Sequence, residues 1–115
     1  MVTQCAVRAV SANVAAATRA LRVGIIGVGM MGAVHVERVA GRTVGAELVA
    51  VSDPAPDRAA ACASRYPGVR PIGDPLELIG DPEVDAVIIA SPAIAHKEQI
   101  RACLDVGKPT LCESR

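Results

Sequence analysis

The apolar residues of this chain fall into short unbroken runs separated by stretches of helical spacing, with glycine, proline and aspartate at the joints. Leu21–Val28 (LRVGIIGV) reads as a buried strand that runs into a glycine-rich turn. Met30–Ala40 has helical spacing, and Met31, Val34 and Val39 can share its inner face. Glu47–Ser52 (ELVAVS) is a second strand, stopped by Asp53-Pro54, and Pro56–Tyr66 is an alanine-rich helix with Pro56 and Asp57 near its start. A weak strand falls at Val69–Ile72, and Asp74-Pro75 opens a short helix that runs to Ile79 and closes at Gly80. Asp85–Ser91 (DAVIIAS) is the most apolar strand and ends at a Ser-Pro. Ile94–Val106 is an amphipathic helix with Ile100, Cys103 and Leu104 inward and Gly107 as its cap, and Pro109–Glu113 is the last strand.

Strands that alternate with helices at this spacing imply right-handed βαβ crossovers and a parallel sheet. The expected fold class is α/β, a Rossmann-type doubly wound sheet of order 3-2-1-4-5. Its ligand crevice should open where the order reverses, between the first and fourth strands. Residues 21–115 form one domain, with no internal repeat and no interior linker. Residues 1–20 differ: they hold Arg8 and Arg19 and no acid. They loosely resemble an organellar transit peptide, but a disordered extension from a start codon set too far upstream is the expected reading.

The chain of 115 residues is long enough for one domain with a real core and too short for two. It has no Phe or Trp and one tyrosine, Tyr66, so Val, Ile, Leu and Ala must fill the interior. That composition suits helices packed closely on a buried parallel sheet. Twelve acidic and twelve basic residues balance, with no basic stripe, which argues against nucleic acid or an anionic membrane as partner. Cys5, Cys62, Cys103 and Cys112 lie far apart, without the spacing of a zinc site or a disulfide framework. Reduced, mostly buried thiols in a cytoplasmic protein are expected. No apolar run approaches the roughly 20 residues that a membrane span needs.

Candidate chemistry centres on Gly27-Val28-Gly29-Met30-Met31-Gly32, a G-x-G-x-x-G between a strand and a helix. Gly27 permits the tight turn, Gly29 lets the backbone approach a pyrophosphate, and Gly32 lets helix and strand pack closely. The helix N-terminus then receives the phosphates. Met31 suits core packing, and Met30 could lie beside the cofactor. Asp53, about twenty residues beyond the loop at the end of the second strand, is placed to accept from both ribose hydroxyls. A carboxylate there favours NAD over NADP, although Asp53 could instead simply start a turn with Pro54. Arg58, a little further on, could soften the preference.

Further phrases occur in register with the glycine loop: Ser52-Asp53-Pro54, Asp81-Pro82-Glu83-Val84-Asp85-Ala86-Val87, Ser91-Pro92-x-x-x-His96 and Gly107-Lys108-Pro109-x-Leu111-Cys112-Glu113. Over residues 21–113 the chain resembles the N-terminal half of the glucose–fructose oxidoreductase/inositol dehydrogenase (Gfo/Idh/MocA) family, and within it the bacterial inositol 2-dehydrogenases. The resemblance implies that Ser91 and Pro92 border the nicotinamide side of the cleft and that Ala90 allows close backbone approach. It places His96 and Glu113 by the cofactor. For His96 the alternative is a helix N-terminal residue with a solvated ring. Ala93 stands where many members have Asn or Asp.

In that family hydride passes between the nicotinamide and a sugar or cyclitol carbon. A lysine directly after the glutamate, with a His and an Asp from a C-terminal domain, handles the hydroxyl proton. Ser114 takes the lysine's place here, and a lone hydroxyl is not a competent base. The resemblance therefore implies no catalytic residue in this chain, a sugar or polyol substrate only for the full-length family, and a missing oligomer interface. With assumed codons, loss of one A from GAG AAG CCG CTG A turns Glu-Lys-Pro-Leu into Glu-Ser-Arg-stop, the ending Glu113-Ser114-Arg115. Three readings of function follow: the NAD-binding half of an oxidoreductase, inactive alone; a non-catalytic NAD-binding regulatory module; or an unstable frameshift fragment with an exposed edge strand.

Overall fold

The computed structural model describes residues 20–41 and 44–112. The N-terminal extension up to residue 19, Glu113 and the side chains of Met30 and Met31 lie outside the described residues. The elements run β1 (Leu21–Ile26), α1 (Met30–Gly41), β2 (Ala46–Ser52), α2 (Pro56–Ser64), β3 (Arg70–Pro71), α3 (Pro75–Gly80), β4 (Ala86–Ile89), α4 (Ala93–Val106) and β5 (Thr110–Cys112). The five strands form one sheet of order β3-β2-β1-β4-β5, and every pairing is parallel. This is the Rossmann-type arrangement that the alternation of strands and helices implies.

Alternation along the central strand divides the core between the two faces of the sheet. Val23 and Ile25 of β1 pack with Val36 and Val39 of α1, Val51 of β2 and Ala63 of α2. Ile26 faces the other way and packs with Leu78 and Ile79 of α3, Val87 and Ile89 of β4 and Cys103 of α4. Tyr66, the one aromatic residue, lies partly buried against the first of these clusters.

Two helices turn differently from the hydrophobic spacing. In α1, Val34 is 39% exposed, and the inner stripe is Gly32, Val36 and Val39. Val39 is inward as expected, but a glycine opens the stripe, so a count of large apolar residues picks Val34 in place of Val36. In α4, Leu104 is 61% exposed, while His96, Gln99 and Cys103 are buried. Ser91, just beyond β4, offers a carbonyl to His96 and a hydroxyl to Gln99, and these two polar side chains take positions that hydrophobicity assigns elsewhere. The thiols are also less buried than expected: Cys103 is enclosed, but Cys62 and Cys112 are partly exposed.

The amino edge of the sheet is tied by side chains of the connecting loops. Asp85, just before β4, accepts from Arg22 of β1 at Nε (3.1 Å), Nη2 (3.1 Å) and the backbone N–H (2.9 Å). Asp81 accepts from the Glu83 N–H (2.8 Å) and from Arg70 Nη2 (2.7 Å). Lys108 donates from Nζ to the Ile79 and Asp81 carbonyls at 2.5 and 2.6 Å, closing the C-terminal end of α3. Gly107, in the left-handed conformation (φ 72°), ends α4. No helix of the described residues is long and apolar enough to cross a membrane.

The Glu83 N–H, and secondarily Arg70, hold the Asp81 carboxyl below the usual carboxylate range. The unfolded chain therefore takes up this proton at higher pH than the native one. The stabilisation is present above about pH 4 and is lost as pH falls further through the native value. Asp81→Asn should flatten the acid limb of the stability curve and leave its neutral slope unchanged, as read by urea unfolding at a series of pH values.

Candidate functional site

Chain reversal at the end of β1 brings three carboxyl ends together. Gly27 has φ of 90°, its N–H donates to the Ser52 carbonyl at 2.7 Å, and the Ala90 N–H donates to the Ile26 carbonyl at 2.8 Å. The loop is thereby stitched to the ends of both β2 and β4. A side chain on Gly27 would meet Ser91 N at 2.8 Å and the Ala90 carbonyl carbon at 2.9 Å. One on Gly32 would meet the Gly27 carbonyl oxygen at 1.6 Å, so the first turn of α1 rests directly on the loop.

Gly29 is different. Among the described residues, a Cβ there would find only Arg58 Nη1 within 4 Å, at 3.5 Å, so none of their packing demands glycine. This open position sits at the N-terminus of α1, where the first N–H groups lack helical acceptors and the dipole favours an anion. Gly27 and Gly32 are needed for the fold, whereas Gly29 leaves space for a group that approaches the backbone. The cradle fits a pyrophosphate.

Asp53 is only 3% exposed. Its Oδ2 accepts from the Val28 N–H in the glycine loop and its Oδ1 from the Ala55 N–H, both at 2.9 Å. The carboxylate therefore braces the loop from the end of β2 and also shapes the turn through Pro54. Arg58 Nη1 stands 3.5 Å from Oδ2, on a side chain that is 57% exposed. A carboxylate offers about four acceptor positions, so two backbone donors leave capacity for hydroxyl donors once the arginine swings aside.

The fourth strand contributes backbone more than side chains. Ala90 is partly buried beside Gly27 and Gly32, and Pro92 is the exposed N-cap residue of α4. Ser91 turns its hydroxyl away into the protein, donating to Gln99 Oε1 at 2.6 Å. His96 is buried at 8% exposure, not a solvated helix-end residue. Its Nε2 makes a short hydrogen bond to the Ser91 carbonyl, and its Nδ1 lies 3.3 Å from Cys112 Sγ at the end of β5.

The structure thus gathers Gly27, Gly29, Gly32, Asp53 and Ala90 around one crevice. Beside it, Ser91 and His96 form a second polar group with Gln99 and Cys112. The sequence reading missed Gln99 and the pairing of His96 with Cys112. Their trace was the spacing His96, Gln99, Cys103, a single helical face whose last member is an ordinary core residue. Among the described residues, no group of three or more His, Cys, Asp or Glu could hold a metal ion.

An all-parallel sheet with a glycine loop at its switch point and an acid ending the second strand defines the class of dinucleotide-binding α/β domains. The profile described as "Oxidoreductase family, NAD-binding Rossmann fold" matches residues 21–114. The chain belongs to this family, Gfo/Idh/MocA. An inositol 2-dehydrogenase of Rhodococcus jostii (strain RHA1) is 50% identical over 93 residues, which make up 81% of this chain and 25% of that protein. Another from Mycolicibacterium smegmatis is also 50% identical over 93 residues, 81% of this chain and 27% of that protein. This chain therefore spans about a quarter of the length of these curated relatives.

Solved structures agree on the fold. Myo-inositol dehydrogenase from Lactobacillus casei, in complex with NAD(H) and myo-inositol, superposes with a TM-score of 0.77 at 33% identity, covering 81% of this chain and 28% of that one. Biliverdin reductase from Synechocystis, in complex with biliverdin and NADP+, gives a TM-score of 0.73 at 33% identity, covering 80% of this chain and 28% of that one. Both nicotinamide cofactors thus occur among structures that share this scaffold.

The two glycines should separate in their effects. Gly32→Ala should cost about 3 kcal/mol or more of stability by urea unfolding, because backbone must move to admit the methyl group. Gly29→Val should fold with near-unchanged stability yet weaken dinucleotide binding by at least about tenfold in titration calorimetry. Full affinity in a folded Gly29→Val chain would count against this placement of the phosphates.

Proposed function

We propose that this chain binds NAD in preference to NADP and is the cofactor-binding part of an oxidoreductase that moves hydride between NAD and a sugar or cyclitol hydroxyl of the myo-inositol type. The observation that carries the reading is the contrast within the glycine loop: Gly27 and Gly32 are closed by the protein's own backbone, and Gly29 is open beside the start of α1. The pyrophosphate would lie over Gly29, with Met30 and Met31 in the opening turn beside it. Asp53 would take the adenosine ribose hydroxyls, and its negative charge would repel a 2′-phosphate. Ala90, Ser91 and Pro92 would border the nicotinamide through backbone, with His96 behind them, and Glu113 would also contribute to the cofactor site. The cofactor would accept the hydride from the polyol carbon, or return it in the reverse direction, while these residues orient it.

Support for the substrate class comes from the inositol 2-dehydrogenases that share half of the aligned residues. We further propose that the 115-residue chain by itself does not turn over a polyol. Ser114 stands where the family's proton-handling lysine is expected. A non-catalytic NAD-binding module is the second reading, favoured by the same serine. Residues 1–20 are proposed to be an extension outside the domain.

Calorimetric titration with NAD and NADP tests the first claim. The unaltered chain should prefer NAD by at least about tenfold, and Asp53→Asn should lower that ratio by about tenfold. Equal affinity for both cofactors, or an unchanged ratio in the variant, would reject Asp53 as the selecting group. With NAD and myo-inositol, production of NADH should not exceed a no-enzyme control, and Ser114→Lys alone should not raise it. Steady NADH formation by the unaltered chain would sink the inactive reading.

A further inference from the structure

The pairing of His96 with Cys112 has chemistry of its own. The ring is buried, and Nε2 is held against the Ser91 carbonyl oxygen. A carbonyl oxygen can only accept, so Nε2 carries the hydrogen, and in the neutral ring Nδ1 then presents a lone pair. That lone pair faces Cys112 Sγ at 3.3 Å. Gln99 steadies the arrangement by accepting from the Ser91 hydroxyl at 2.6 Å, fixing the strand end whose carbonyl sets the tautomer. The sulfur is at the carboxyl end of β5 and is partly exposed, so a small molecule can reach it.

The other described thiols sit in different surroundings. Cys103 is fully enclosed in the core. Burial pushes the Cys62 thiol up, with Arg65 opposing only secondarily.

We propose that Cys112 is a nucleophilic thiol, activated by His96 as proton acceptor, and a modification site for soft electrophiles and low-molecular-weight disulfides. With a disulfide, Cys112 Sγ forms a bond to one sulfur, the original S–S bond breaks, and the other sulfur leaves as a thiolate. The Cys112 proton passes to His96 Nδ1 and then to the departing thiolate. Cys112 is oxidised and the leaving sulfur reduced, so no further oxidant enters. The arrangement requires no bound nucleotide, and the inference stands apart from the NAD-binding reading.

Iodoacetamide tests it, with the labelled cysteine identified by peptide mass mapping. Alkylation forms the S–C bond, expels iodide and sends the thiol proton to His96. Cys112 should react about tenfold faster in the folded chain than in the chain unfolded by urea, whereas Cys62 should react more slowly when folded. His96→Gln should bring the folded rate of Cys112 down to its unfolded rate, with circular dichroism reporting the fold. A Cys112 rate no faster folded than unfolded overturns the proposal, as does an undiminished rate in folded His96→Gln. Should His96→Gln fail to fold, the comparison of folded and unfolded unaltered chain decides alone.

Discussion

The first turn of α1 lies so close to the end of β1 that the Gly27 carbonyl occupies the space a side chain on Gly32 would need. That contact sets the angle at which the helix leaves the strand and therefore where its N-terminus points. The loop between them is in turn fastened to the neighbouring strands, by Gly27 N–H on Ser52 and by Asp53 on the Val28 N–H. Three strand ends are thus locked around one reversal of the chain. The direction in which the N-terminus of α1 points follows from this contact, and helix N–H groups can bind a phosphate only where the chain aims them.

The phrases that mark the family divide between opposite edges of the sheet. The glycine loop, Asp53 and the Ser91 region gather at the carboxyl edge, where a ligand can reach them. Asp81, Asp85 and Lys108 work at the amino edge and hold the scaffold: Asp85 clasps Arg22, Asp81 shapes the turn into β4, and Lys108 closes α3. A recurring motif is therefore not by itself a sign of chemistry. Ionic groups in the second set join elements distant in sequence, while the glycine loop is held through its backbone N–H groups, Gly27 on Ser52 and Val28 on Asp53.

Asp53 shows how one side chain can serve both ends. Its oxygens accept from two backbone N–H groups within the protein, so it is part of the loop's framework and the turn at Pro54. The same charge is what would discriminate between a ribose hydroxyl and a phosphate, with Arg58 as an exposed counterweight beside it. The two readings of this aspartate, turn former and ribose ligand, are compatible because a carboxylate has more acceptor positions than the loop consumes.

The sequence by itself determined the class of fold, the order of elements and the position of the crevice. Buried parallel strands must be continuous apolar runs, crossovers have one hand, and only glycine fits the reversal at the end of β1. Tertiary structure decided what faces what. Gly32 opens the inner stripe of α1, which no count of large apolar residues reveals. His96 and Gln99 are buried because the sheet end beneath α4 offers a carbonyl and a hydroxyl, partners that helical spacing cannot show. Cys112 meets His96 only because β5 pairs with β4 in one register, Ile89 opposite Cys112. Local pattern records the periodicity of each element, but contacts between side chains far apart in the chain depend on register and approach distance, which exist only once the sheet has assembled.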